Sequence, residues 1–96
     1  MTNNNVFAAS SFALPMGSAV PADFADNFDN YIAGTFMFIG VETGDGVEFD
    51  FDDEDMSLFL RACEKLGLKP DGKFLGKEEL VCRKVNVRSE TMYVIW

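Results

Sequence analysis

The sequence predicts an α+β fold: a small antiparallel sheet or partly closed barrel in the order β-β-α-β-β, with one main helix and an irregular N-terminal arm. Three observations lead there. An apolar run at 35–41 is followed, across a glycine-containing loop, by the strictly alternating residues 47–52. Residues 53–66 repeat apolar side chains at helical spacing, and two β-rich segments near the end are joined by a very short connector. With 96 residues, 48% of them hydrophobic, the chain suits one domain and one core.

Residues 1–27 are expected to form an irregular or partly disordered arm, and 28–96 a single α+β domain. The arm carries little charge and no sustained period, and Pro15, Gly17 and Pro21 interrupt regular structure. Val6, Phe7, Phe12, Leu14, Met16, Val20 and Phe24 are nevertheless too many apolar groups to leave in water, so part of the arm is expected to pack on the domain or on another subunit. Regular structure becomes readable at Tyr31. Residues 35–41 are apolar on both sides, as in a central strand. In 47–52, Val47, Phe49 and Phe51 point inward, while Glu48, Asp50 and Asp52 form a row facing solvent. Gly44 and Gly46 in the intervening loop allow the positive backbone torsions of a tight hairpin.

The helix follows, with Asp52 or Asp53 as its cap and Asp53, Glu54 and Asp55 at its positive end. Met56, Phe59, Leu60 and Cys63 mark the buried face, and Gly67 and Pro70 end it. Asp71 and Gly72 mark a turn, and Gly76 interrupts what comes next. Residues 80–87 and 91–96 are then expected as two strands of a second hairpin. Cys63 and Cys82, one on the helix and one on a strand, are expected as core thiols.

Charge is segregated along the chain. Every Lys and Arg lies at or beyond Arg61, whereas most carboxylates precede it, so residues 1–60 sum to -11 and residues 61–96 to +3, giving -8 overall. A negative protein is repelled by nucleic acid and by acidic membranes, so the expected partner is a larger protein with a basic surface. The chain has no apolar run long enough for a membrane span and no leader-like start, which points to a cytoplasmic, non-membrane protein. Histidine is absent, which removes the usual acid-base group near neutrality and the commonest zinc ligand. No enzymatic activity and no cofactor are expected.

Glu42, Asp45, Glu48, Asp50, Asp52, Asp53, Glu54 and Asp55 are the candidate partner-binding residues. A row of carboxylates about 7 Å apart along a strand can imitate a phosphate backbone, and its self-repulsion is relieved when a cationic surface docks. No metal site is expected. A calcium loop starting at Asp50 would need Gly where Asp55 stands and Glu where Arg61 stands, and the outward pair Asp50 and Asp52 lacks the enclosure of two-metal chemistry. Residues 67–73 have the outline of a phosphate-binding loop, but Phe74 occupies the Ser/Thr place and the segment follows a helix, so it is expected to be a turn.

The expected function is therefore a small acidic protein-binding module, an inhibitor or regulator that covers a basic surface of a larger protein, a nucleic-acid-binding surface being one such recipient. Such proteins are frequent in phages and mobile elements, which is an association and not a deduction. There are two alternatives. One is a homo-oligomeric assembly protein, in which an uncharged edge strand at 92–96 pairs across a dimer axis. The other is a small single-strand-binding barrel that uses Arg83, Lys84 and Arg88 with Phe74, Tyr93 and Trp96 as stacking groups.

Overall fold

The computed structural model describes residues 12–96. Its frame is a five-stranded, entirely antiparallel sheet in the order β3-β2-β1-β5-β4. The sheet is not fully closed, as expected: β3 and β4 form its two edges, and it has two faces to cover.

Strands β1 (Phe38–Glu42) and β2 (Gly46–Phe49) form the expected hairpin, with Gly40 opposite Phe49 and Glu42 opposite Val47. Its loop closes differently from the expectation. Neither Gly44 nor Gly46 has a positive φ. Instead the Thr43 backbone N–H donates to the Gly46 carbonyl at 2.6 Å, and the Thr43 hydroxyl accepts from the Gly46 N–H at 3.2 Å. The glycines that matter sterically are Gly40 and Gly46. A Cβ at Gly40 would overlap Val47 and the Phe49 ring, and one at Gly46 would overlap the Leu75 carbonyl and the Phe74 ring.

After β2, a 3-10 turn (Asp53–Asp55) leads into helix α2 (Met56–Leu66), the main helix; the shorter α1 precedes β1 and is described below. Asp52 and Asp53 make no side-chain cap hydrogen bond, so these acids act on the helix through charge alone. Phe59, Ala62 and Cys63 form the buried stripe, and Leu60 is exposed because the stripe turns past it. Gly67, at φ +74°, ends the helix; its N–H and that of Leu68 both reach the Cys63 carbonyl.

Several elements depart from the sequence-based expectation. Residues 74–76 form β3 (Phe74–Gly76), which pairs with β2 after a turn in which Gly72 takes a positive φ. Residues 77–83, expected as strand from Leu80, are a 3-10 helix (Lys77–Arg83); Leu80 and Arg83 are its buried residues, one three-residue turn apart. Cys82 therefore points outward and is exposed, while Cys63 is a core thiol whose burial pushes it up to about 11. Strand β4 (Lys84–Val87) is correspondingly shorter than expected. It pairs with β5 (Glu90–Ile95) through a two-residue turn, Arg88 and Ser89, both with positive φ. Finally, β5 lies between β1 and β4, so the strand expected at an edge is interior and its dimer route is closed.

The two faces carry separate cores. On the first, Phe38, Phe49, Leu75, Tyr93 and Ile95 of the sheet meet Phe59, Ala62 and Cys63 of α2 and Leu80 of the 3-10 helix. On the second, helix α1 (Phe28–Gly34) and residues from 12–27 cover Ile39, Val85, Val87, Met92, Val94 and Trp96. Helix α1 was not expected: it is short, and Asn27 makes no side-chain cap bond.

Arg83 belongs to neither the surface nor an ion pair. It is 1% exposed, with its guanidinium 4.6 Å over the Trp96 ring and donating to the Ser18 carbonyl. Its Nε and Nη1 have no partner among the described residues, and burial pulls its pKa below the usual arginine value. Arg83→Met, which keeps the packing and removes the unsatisfied donors, is expected to unfold at the same or higher denaturant than the parent, while Arg83→Ala loses about 2 kcal/mol. Urea titrations of both variants check this; a Met variant weaker than the Ala variant would contradict it.

Candidate functional site

Alternation along β2 sends Val47 and Phe49 into the first core and Glu48 to the opposite face. The second core takes its sheet residues from β1, β5 and β4 only, so the β2 and β3 part of that face is left uncovered. There the register sets Val41, Glu48 and Phe74 side by side across three strands, with Val41 69% exposed. Strand β2 ends at Phe49, so Asp50 and Asp52 lie beyond it and the outward row expected from alternation over 47–52 keeps only Glu48 on the strand.

Beyond the last β1–β2 partners, Gly40 and Phe49, the two chains separate. A groove of about 320 Å³ opens there, lined by 36–38, 50–52 and Asp55. Its walls are aromatic and its remaining lining includes three carboxylates, Asp50, Asp52 and Asp55. Phe36 is 55% exposed and meets Phe38 edge-on at 5.2 Å, while Phe51 packs on Phe38 and Phe59. A larger cavity of about 570 Å³ lies between the start of α1 and the β4–β5 turn; of its three charged groups, Asp29 and Arg88 pair with each other at 2.6 Å and Asp26 is the third.

The eight carboxylates singled out from the sequence do not form one continuous row. Glu42 shares a face with Val47 and Tyr93, opposite to Glu48. Lys77 lies 3.0 Å from its carboxylate and the Tyr93 hydroxyl donates to it at 3.1 Å. These two groups, Lys77 first, hold Glu42 below its ordinary 4.5. Tyr93 is raised in turn, by burial and then by Glu42. Asp53 lies 3.9 Å from Lys73. Asp45 is exposed in the hairpin loop and Glu54 on the 3-10 turn. Among the described residues, Asp45, Glu48, Asp50, Asp52, Glu54 and Asp55 have no cation within 4.0 Å.

The depressed pKa of Glu42 has a consequence for acid stability. Because the folded value is the lower one, its contribution is complete above 4.5 and is lost as pH falls through the folded value. Thermal melts from about pH 6 to pH 3 should therefore show a smaller drop in Tm for Glu42→Gln than for the parent. Parallel curves would contradict the ion pair with Lys77.

Of the groups considered for nucleic-acid stacking, only Phe74 lies on the uncovered face. Trp96 and Tyr93 are buried in the second and first cores, and Arg83 is enclosed beneath Trp96. Sequence reasoning missed the groove and the uncovered half of the sheet. The run of aromatic residues around Phe36 and Phe51 was visible, but only the ends of β1 and β2 bring them together. Among the described residues no helix is long and apolar enough to cross a membrane. The chain matches no family model, no curated protein and no solved structure.

Proposed function

We propose that the protein is a cytoplasmic protein-binding module, an inhibitor or regulator that covers a basic surface on a larger protein. The observation that carries this is the set of carboxylates left without an internal cation, Glu48, Asp50, Asp52 and Asp55 foremost, placed beside exposed apolar groups. Acids alone favour a solvated face. Acids bordering the exposed Val41 and Phe36 and the half-buried Phe74 favour docking, because the apolar groups supply area to bury and the carboxylates select a positive recipient.

The mechanism is steric and electrostatic. Carboxylates take the places of phosphates against Arg and Lys of the recipient, and the aromatic and aliphatic side chains exclude water from the contact. A recipient that itself binds DNA or RNA has the required surface. The open sheet supports a rigid epitope, since β1 and β2 are held on both sides by β5 and β3.

The test is capture from the natural cytoplasm on immobilised protein, with a parallel column of protein in which Asp50, Asp52, Asp53 and Asp55 are asparagine. A retained protein with a basic face that elutes with salt and is absent from the second column is the expected result. Equal retention on both columns contradicts the proposal.

A further inference from the structure

Phe36 is the clue to what enters the groove at the end of the β1–β2 pair. More than half of its surface is in water, and it stands with Phe38 and Phe51 around a space of about 320 Å³. This size lies at the low end of ligand cavities and has room for one long side chain, while the carboxylates in its lining disfavour a nucleotide's phosphates. The protein already places one of its own cations on this aromatic group: Lys73 Nζ sits 4.9 Å above the Phe51 ring and donates to the Phe51 carbonyl. Asp50, Asp52 and Asp55 line the same space, and no cation among the described residues reaches them.

Resting on the docking role above, we propose that this groove receives a single arginine side chain of the basic recipient. A guanidinium is planar and weakly hydrated, so it can lie against an aromatic ring while its five N–H donors reach carboxylates around it. A lysine ammonium offers a strongly hydrated point charge and three donors, and gains less from the ring. Aromatic walls with acidic neighbours thus discriminate between two cations of equal charge, which the acidic row alone does not do. Phe36 is the residue that confers the preference, with Asp55, the last residue of the 3-10 turn, as the least exposed of the three carboxylates; its backbone N–H donates to the Asp52 carbonyl at 3.0 Å.

The experiment is an NMR titration of the full chain, labelled with nitrogen-15, with an alternating glycine–arginine heptapeptide and its glycine–lysine counterpart. The arginine peptide is expected to bind about fivefold more tightly, with its largest shifts at 36–38 and 50–55. Phe36→Ala, a change at an exposed position, should bring its affinity down to that of the lysine peptide and leave the latter unaltered. Asp55→Asn, which keeps every ring, should reduce the preference as well. Equal affinities for the two peptides, with shifts still at the acidic residues, overturn the arginine groove and leave the docking role standing. Absence of binding by either peptide overturns both. Self-association lost on Phe36→Ala, read by sedimentation, would assign the groove to a second copy and overturn the proposal too.

Discussion

Trp96→Ala is expected to lower the free energy of unfolding by about 4 kcal/mol, a large share of the roughly 5–15 kcal/mol that holds a domain of this kind together. The indole is 2% exposed and central to the second core. It stacks on Phe24 with ring centroids 5.7 Å apart, and its N–H donates to the Ser18 hydroxyl at 2.7 Å. The Trp96 carbonyl accepts from the Gly17 N–H at 2.7 Å, so the same residue anchors the incoming chain at two points. Alanine keeps the backbone contact, empties the ring's volume and exposes Arg83, whose guanidinium lies on that ring. Trp96→Phe should lose only part of this, since the stacking survives and the bond to Ser18 does not. Urea unfolding of the three proteins checks the order; a loss below about 1 kcal/mol for alanine would mean that the second face does little to hold the fold.

The second large effect is on binding. Converting Asp50, Asp52, Asp53 and Asp55 together to asparagine is expected to weaken the captured recipient about a hundredfold, at roughly 0.5–1 kcal/mol for each carboxylate that meets a cation at a partly exposed contact. The four are not equal. Asp53 has Lys73 3.9 Å away and already spends part of its charge there, so restoring Asp53 alone should recover least. The fold should survive, because none of the four makes a side-chain cap bond and their mutual repulsion is removed. A variant with unchanged melting and much weaker binding separates the docking face from the scaffold. Calorimetry with the captured recipient, beside thermal melts, provides both readouts; unaltered affinity contradicts the assignment of these residues.

The parts of the fold legible in the sequence were those with a clear period. Alternation at 47–52 and the helical stripe through Phe59 and Cys63 put β2 and α2 in place, and the apolar run at 35–41 correctly marked an interior strand. What escaped was short or set by distant contacts. Strand β3 has three residues, too few for a period, and is defined by its pairing with β2. The β-branched and apolar content around Val81 suggested a strand, but Leu80 and Arg83 both need to face inward, and a three-residue turn does that where strand alternation cannot. Arg83 was placed with the surface bases because arginine is seldom buried without a carboxylate; only the Trp96 ring and the Ser18 carbonyl explain its position. At the site, composition singled out the acids, but not which of them Lys77 and Lys73 engage, nor the groove that Phe36 and Phe51 form between them.

Electrostatic docking makes one demand that packing alone does not. The dissociation constant for the captured recipient should rise steeply between about 0.05 and 0.5 M salt, over which the screening length shortens from roughly 14 Å to roughly 4 Å. The account predicts that this dependence is strong for the parent and shallow for the protein lacking Asp50, Asp52, Asp53 and Asp55. The same slope for both, or an affinity indifferent to salt, would contradict it.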